Sequence, residues 1–484
     1  MSTPTEDANV TYTPSPEGAV KTLLILGASG DLTGRLLLPG LARLITRGRA
    51  DGLQLVGAGS DSWSTQDWQG RLAESFAAAQ EKADDAGRAA LERICEDSTY
   101  QPVDVTVEGE LAKLLDTLTG PVAIYFALPP AISQKACELL EPDDVPAGTR
   151  LVMEKPFGSG EESARRLNKT LKALVPEDHI HRVDHFLGKA TVFNILGLRF
   201  ANRMLEPVWS NQHIEKVEIF FDEKLTVEGR SRYYDKAGAL RDMIQSHLLQ
   251  IMALMAINGP ATIHERDLRD HVGSTLRAAS IGPDFARCTR RARYTAGSIG
   301  DRSVPDYVDE DGIDAENMTE TLAEVEVAIN NERWAGVPFI LRSGKAVGRK
   351  RKEAVVTFKP VNHLPTGFTG ADAPTRLRIG FGPDTLQLEM DVNGPGNIFS
   401  LDRAVLSAEL NASDLHPYGE VLDGVLSGDP LLSVRDDIAE DCWRIVEPVL
   451  EAWANNEVPM DEYEAGSSGP SAWVTSQEDV PLES

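Results

Sequence analysis

The chain has 484 residues, 42% of them apolar and 25% charged, so it is too long for one ordinary domain and too apolar to be disordered throughout. Its 75 acidic against 48 basic residues leave a formal charge of −27, a surface that repels nucleic acid and anionic lipid and excludes both as expected partners. No run approaches the ~20 apolar residues of a membrane span. Cys95, Cys137, Cys288 and Cys442 form no CxxC pair, which argues against a disulfide framework or a structural zinc site, and no metal is expected. The polar, acidic N-terminus has no apolar leader, so a reducing cytoplasm is the expected compartment.

Residues 1–20, rich in Thr, Pro and Glu, read as a disordered lead-in. Apolar runs at 23–26, 53–56, 122–127, 151–153 and 180–183 then have the length of buried strands. Helical patterns at 36–46, 66–80, 131–140 and 161–174 fall between several of them. This alternation predicts a Rossmann-type, doubly wound parallel sheet over residues 21–199. Beyond it the pattern changes. Apolar and polar residues alternate at 217–221, 322–329, 354–359, 375–380 and 386–392, as in a large antiparallel sheet with one packed face. Long helices are expected at 238–257 and 436–454, a loop at the acidic stretch 301–317, and a turn-rich connection at 366–374. The prediction is an α/β nucleotide-binding domain, 21–199, followed by an α+β domain, 200–484, for substrate and dimerisation.

Four segments carry candidate chemistry. Gly27-Ala28-Ser29-Gly30-Asp31-Leu32-Thr33 lies between a predicted strand and a helix, where glycines let backbone amides approach a pyrophosphate and the helix dipole favours its charge. Its spacing is not GxGxxG, since Ser29 and Leu32 stand at the second and third glycine positions. Glu154-Lys155-Pro156-Phe157-Gly158 ends a predicted strand, so Lys155 would face a ligand crevice; the alternative is a surface lysine before a turn. The segment Arg182-Val183-Asp184-His185-Phe186-Leu187-Gly188-Lys189 delivers a carboxylate, an imidazole and an ammonium from one strand end. Asp184 can orient an imidazole and His185 with Lys189 can clamp a phosphate, the alternative being a structural ion-pair cluster. Finally, Arg241, Asp242, Gln245 and His247 interrupt an otherwise apolar helix, where polar groups without a task would be costly.

Together with residues 333–345, these segments resemble the glucose-6-phosphate dehydrogenase family, in the family's order and over nearly the whole chain. The resemblance implies an oxidoreductase that oxidises D-glucose 6-phosphate at C1 with hydride transfer to NAD or NADP. It implies His247 as general base and Asp184 as the carboxylate that stabilises its protonated form. It implies His185, Lys189 and Lys345 at the phosphate, Lys155 at both substrate and coenzyme, and Glu223 and Asp242 at sugar hydroxyls. Coenzyme contacts fall on Gly27, Ser29, Gly30, Asp31 and Leu32, and the expected assembly is a homodimer or homotetramer. Departures are Phe186 for a Tyr, Ala190 for a Glu, Ser246 for an Asn and Gly382 for a sugar-binding Gln, with the basic run after the loop reduced to Gly34-Arg35-Leu36. They leave open a dehydrogenase of a related aldose or sugar phosphate, or a catalytically silent regulatory homologue.

The coenzyme expectation turns on the end of the second strand, which meets the adenine ribose in this architecture. NADP-using members commonly carry an Arg at the position of Ser60, followed here by Asp61. A carboxylate there bonds a free 2′-hydroxyl and repels a 2′-phosphate. A preference for NAD is therefore expected, against the alternatives that Asp61 caps a helix or that a distant base such as Arg35 reaches the phosphate.

Overall fold

The computed structural model describes residues 19–473 except 228, 371, 395, 411, 412 and 414. The lead-in expected over 1–20 lies outside the described residues as far as residue 18. The chain divides into two compact units, one holding residues up to Gly158, Arg165–Gly188 and Leu415–Arg435, the other Ser159–Ala164, Lys189–Asp414 and the chain from Asp436 onward.

The first unit is built on six parallel strands, β1 (Thr22–Leu26), β2 (Gln54–Gly59), β3 (Thr99–Pro102), β4 (Val122–Phe126), β5 (Arg150–Glu154) and β6 (Ile180–Val183), in the order β3-β2-β1-β4-β5-β6. Every residue of β1 and β4 is buried, as expected of strands covered on both faces. The edge strand β3 escapes the sequence reading because Tyr100 is its one buried residue. The helix Thr65–Gln80 starts on a capping box in which Ser64 and Asp67 satisfy each other's backbone amides. Helix Asp85–Asp97 was not expected, because its buried stripe is only Gly87, Leu91 and Ile94. Late in the chain, helix Pro417–Ser427 packs on helix Leu38–Thr46. A Cβ on Gly40 would stand 3.0 Å from the Gly419 nitrogen, so glycine at 40 lets the two helices approach closely.

The second unit carries an eleven-stranded sheet. The antiparallel expectation needs correction, for the sheet is mixed. Ile214–Asp222 runs parallel to Pro338–Gly344, Thr289–Thr295 to Met460–Glu464, and Thr369–Gly370 to Ser400–Glu409. Alternation along a strand reports which face is buried, not the direction of its neighbour. The expected helix 238–257 is also broken. Gly238 has φ 66° and ψ 174°, ending Ser231–Ala239, and a π-helical stretch Leu240–Leu248 precedes the regular turns of Leu249–Ala256. The stretch 301–317 is not all loop, since Arg302–Val304 pairs with Gly297–Ile299. Among the described residues, no helix is long and apolar enough to cross a membrane.

Candidate active site

In the first unit the candidate groups gather at the carboxyl ends of the parallel strands. The chain order reverses between β1 and β4, and such a switch point opens a crevice for ligands. After β1, Gly27 turns with φ 83°, and a Cβ there would lie 2.3 Å from the Ala127 carbonyl oxygen. No other residue type fits that approach. The Thr33 hydroxyl donates to the Gly27 carbonyl at 3.0 Å and closes the loop, and the helix opens at Asp31. This cradle fits a dinucleotide pyrophosphate, with Ser29, Gly30 and Asp31 at its rim, while the Leu32 side chain packs against the core. Asp31 is ion-paired with Arg35 at 3.1 Å on the exposed first turn. After β2, exposed Ser60 and Asp61 follow, and the Ser29 hydroxyl donates to Asp61 Oδ2 at 2.5 Å. The acidic side chain therefore stands directly against the glycine loop.

Lys155 follows β5 through a cis Lys155–Pro156 peptide. Its neighbour Glu154 accepts from the Tyr125 hydroxyl at 2.5 Å. Burial pushes this carboxyl up to about 7, against the opposing pull of the Tyr125 hydrogen bond and the Lys155 charge. Asp184, after β6, is fully buried and accepts from the Phe186 amide at 2.9 Å, which fixes its carboxylate. The His185 ring stacks on Tyr418, centroids 5.7 Å apart and planes 9° from parallel. A Cβ on Gly188 would meet the Pro417 carbonyl oxygen at 2.3 Å, an approach as close as that at Gly27.

In the second unit, His247 is buried on the π-helical stretch, a distortion frequent at functional sites. Asp242 lies on the same stretch, half-buried, and accepts from the Tyr233 hydroxyl at 3.2 Å. Gln245 is buried, whereas Arg241 is exposed. Lys189 is the N-cap of helix Ala190–Phe200, with its ammonium 5.4 Å from the Phe221 ring centroid. Glu223 is paired twice, with Lys345 at 3.3 Å and with Lys352 at 2.6 Å. Burial pushes its carboxyl up, but the two ammoniums outweigh that effect and hold it below the usual carboxylate range.

The sequence reading missed Lys352, Tyr418, Tyr125 and Arg71. Tyr125 and Lys352 reach their partners only through strand pairing, and Tyr418 through the return of the chain at residue 415. Arg71 comes from the helix after β2, ten residues beyond Asp61, and its Nη2 donates to the Gly30 carbonyl at 3.4 Å.

Comparison with known proteins shows the family. Residues 24–194 match the glucose-6-phosphate dehydrogenase NAD binding domain, and residues 196–479 match the C-terminal domain of the same enzyme. The chain is 36% identical to glucose-6-phosphate 1-dehydrogenase of Gluconobacter oxydans over 463 residues, covering 92% of this chain and 94% of that one. It is 35% identical to the Bacillus subtilis protein of the same name, covering 93% and 94%. The crystal structure of the Mycobacterium avium enzyme superposes with a TM-score of 0.81 at 32% identity, covering 94% of this chain and 96% of that one. A glucose-6-phosphate dehydrogenase in complex with glucose-6-phosphate superposes with a TM-score of 0.83 at 26% identity, covering 95% and 97%. A parallel sheet with its glycine turn, a mixed sheet, and likeness over the full length of both domains make this chain a member of the glucose-6-phosphate dehydrogenase family.

Proposed function

We propose that this chain oxidises D-glucose 6-phosphate at C1 to 6-phospho-D-glucono-1,5-lactone, the entry to the oxidative pentose phosphate route. The observation that carries the reading is likeness to enzymes of that name over more than nine-tenths of the chain. A bound nicotinamide dinucleotide supplies the hydride acceptor. His247 takes the proton of the C1 hydroxyl as the hydride leaves C1, and Asp184 stabilises the imidazolium so formed. His185, Lys189 and Lys345 receive the 6-phosphate, Lys155 serves both ligands, and Glu223 and Asp242 accept from sugar hydroxyls. Residues 21–199 carry the coenzyme and 200–484 the sugar and self-association. The test is steady-state oxidation of glucose 6-phosphate beside free glucose. We expect kcat/KM to be much higher for the phosphate ester, and Lys189→Ala to raise KM for it while leaving coenzyme KM near wild type. Equal kcat/KM for the two sugars would favour a dehydrogenase of unphosphorylated aldoses.

We further propose a preference for NAD. Asp61 supports it, because its carboxylate lies within hydrogen-bond reach of the loop hydroxyl Ser29, where a 2′-phosphate would meet a like charge. Arg35 is engaged by Asp31, which weakens its claim as the distant base. Measured kcat/KM for both coenzymes decides the matter, and an NADP preference above about tenfold, ~1.4 kcal/mol, sinks it. Ser60→Arg with Asp61→Gln should move the ratio toward NADP.

The chain is also proposed to self-associate through the outer strands of its mixed sheet. Register places Leu386, Leu388 and Met390 opposite Ala408, Leu406 and Ala404, an apolar face on which Leu406 is 59% exposed.

A further inference from the structure

Glu223 is held with unusual completeness. Its amide donates to the Gly344 carbonyl at 2.8 Å, and its own carbonyl accepts from Val347 at 3.1 Å, so the main chain is pinned on both sides. Its carboxylate is divided between two cations, Oε2 to Lys345 and Oε1 to Lys352. The Lys352 contact is the shorter of the two. Lys352 is not a surface lysine that happens to reach across. It sits directly opposite Phe221 in the antiparallel pairing of Arg351–Phe358 with Ile214–Asp222. Its ammonium lies 4.0 Å from the centroid of that ring. Its carbonyl accepts from the Phe381 amide at 2.7 Å, and a Cβ added to the neighbouring Gly382 would touch its Cδ at 3.9 Å. A ring on one side and a side-chain-free residue on the other leave a lane in which the lysine lies.

A carboxylate offers about four acceptor positions, two on each oxygen. With one ammonium on each oxygen, one acceptor position is left on each. A carboxylate with one position left on each oxygen can accept from two adjacent hydroxyls of a sugar ring. A carboxylate gripped on one oxygen alone would be free to rotate about its last torsion, which is broad. We propose that Lys352 is a positioning residue for the sugar, orienting Glu223 so that its two oxygens accept from a pair of adjacent ring hydroxyls and thereby select among hexose phosphates. The inference rests on the functional reading above, and extends it from which residue binds the sugar to what makes that residue selective.

The test compares wild type, Lys352→Met and Lys352→Arg on glucose 6-phosphate and on its 2-, 3- and 4-deoxy analogues. Methionine keeps the stem against Phe221 and removes the charge, whereas arginine retains a cation that can reach Oε1. Lys352→Met should raise KM for glucose 6-phosphate by about tenfold or more, as for one lost charge-assisted hydrogen bond. Its kcat should stay within about threefold of wild type, the split expected of lost binding without lost chemistry. Wild type should discriminate strongly against deoxygenation at two neighbouring positions. The methionine variant should flatten that profile and the arginine variant restore it, with coenzyme KM constant throughout. If Lys352→Met does not fold, Lys352→Gln is read in the same way. A variant with unchanged KM and an unchanged deoxy profile, in an enzyme whose wild type is active, overturns the role of Lys352 alone. A wild type inactive on glucose 6-phosphate overturns the functional reading instead.

Discussion

At the scale of single residues, the buried polar groups are the informative ones, because an imidazole or carboxylate in an apolar setting costs stability unless it is engaged. His247 precedes eight consecutive buried residues, Leu249–Ala256, in which Gln250 is the one polar side chain. If it is the base, His247→Asn should lower kcat by ~10²–10⁴-fold with little change in KM for the sugar phosphate. Turnover near wild type in a folded variant would falsify that role. Glu154 supplies a different prediction, read by stability. Its folded-state pKa, pushed up by burial to about 7, lies above the ordinary value of 4.5. The folded protein therefore binds more protons than the unfolded chain between those values, and stability falls as pH rises through that window. Glu154→Gln keeps an acceptor for Tyr125 and removes the charge. Thermal unfolding should show it gaining on wild type at pH 8 and gaining less at pH 5. An equal difference at both pH values would mean that the carboxyl does not titrate there.

At the scale of elements, the segment that carries Asp242 and His247 is irregular for a local reason. Gly238 breaks the helix before it with a positive φ that L side chains rarely adopt. Its missing side chain also makes room for Glu320, whose Oε1 accepts from the Leu240 amide at 2.9 Å. A Cβ at 238 would lie 2.4 Å from that oxygen. The Glu320 carboxylate thus receives the first amide of the π-helical stretch and sets where it begins. Gly238→Ala should cost about 1–3 kcal/mol from backbone strain, before the clash is counted. Denaturant unfolding measures the loss, and kcat should fall with it because Asp242 and His247 move with their segment. A neutral variant would show that the break is not imposed by this contact. The alternation of apolar and polar residues made five strands of the mixed sheet legible, yet Thr289–Thr295, Pro338–Gly344, Ser400–Glu409 and Met460–Glu464 were not. Ser400–Glu409 has no fully buried residue, so it lacks the buried face that produces the pattern.

At the scale of the molecule, the outermost long strands of the mixed sheet are the exposed ones. Arg378, Glu389 and Arg403 form an ion-pair ladder on one face of the outer strands, while Leu386, Leu388, Met390 and Leu406 share the other. An exposed apolar sheet face is the usual mark of a partner surface. Leu406→Glu should shift the protein from dimer toward monomer in sedimentation velocity without loss of fold. A wild-type monomer at micromolar concentration would dispose of the self-association proposal. The acidic surface, −27 overall, requires that an anionic substrate be met by local cations, the role proposed for Lys189 and Lys345.

The sequence by itself determined the parallel nucleotide unit, the glycine turn and the family, because these are written in contiguous residues: buried runs of strand length, a strand-turn-helix motif, and landmarks in order. It also named Glu223 and Lys345 through the resemblance, as separate contacts to hydroxyls and to phosphate. Tertiary structure alone decided that Glu223 is paired with both Lys345 and Lys352, that Tyr418 stacks on His185, and that residues 415–435 return to the first unit. It also decided that Ser29 meets Asp61, 32 residues along the chain. The reason is physical. Periodicity reports burial and a motif reports local backbone geometry, whereas strand register and chain return bring together side chains whose partnership leaves no local pattern in the sequence.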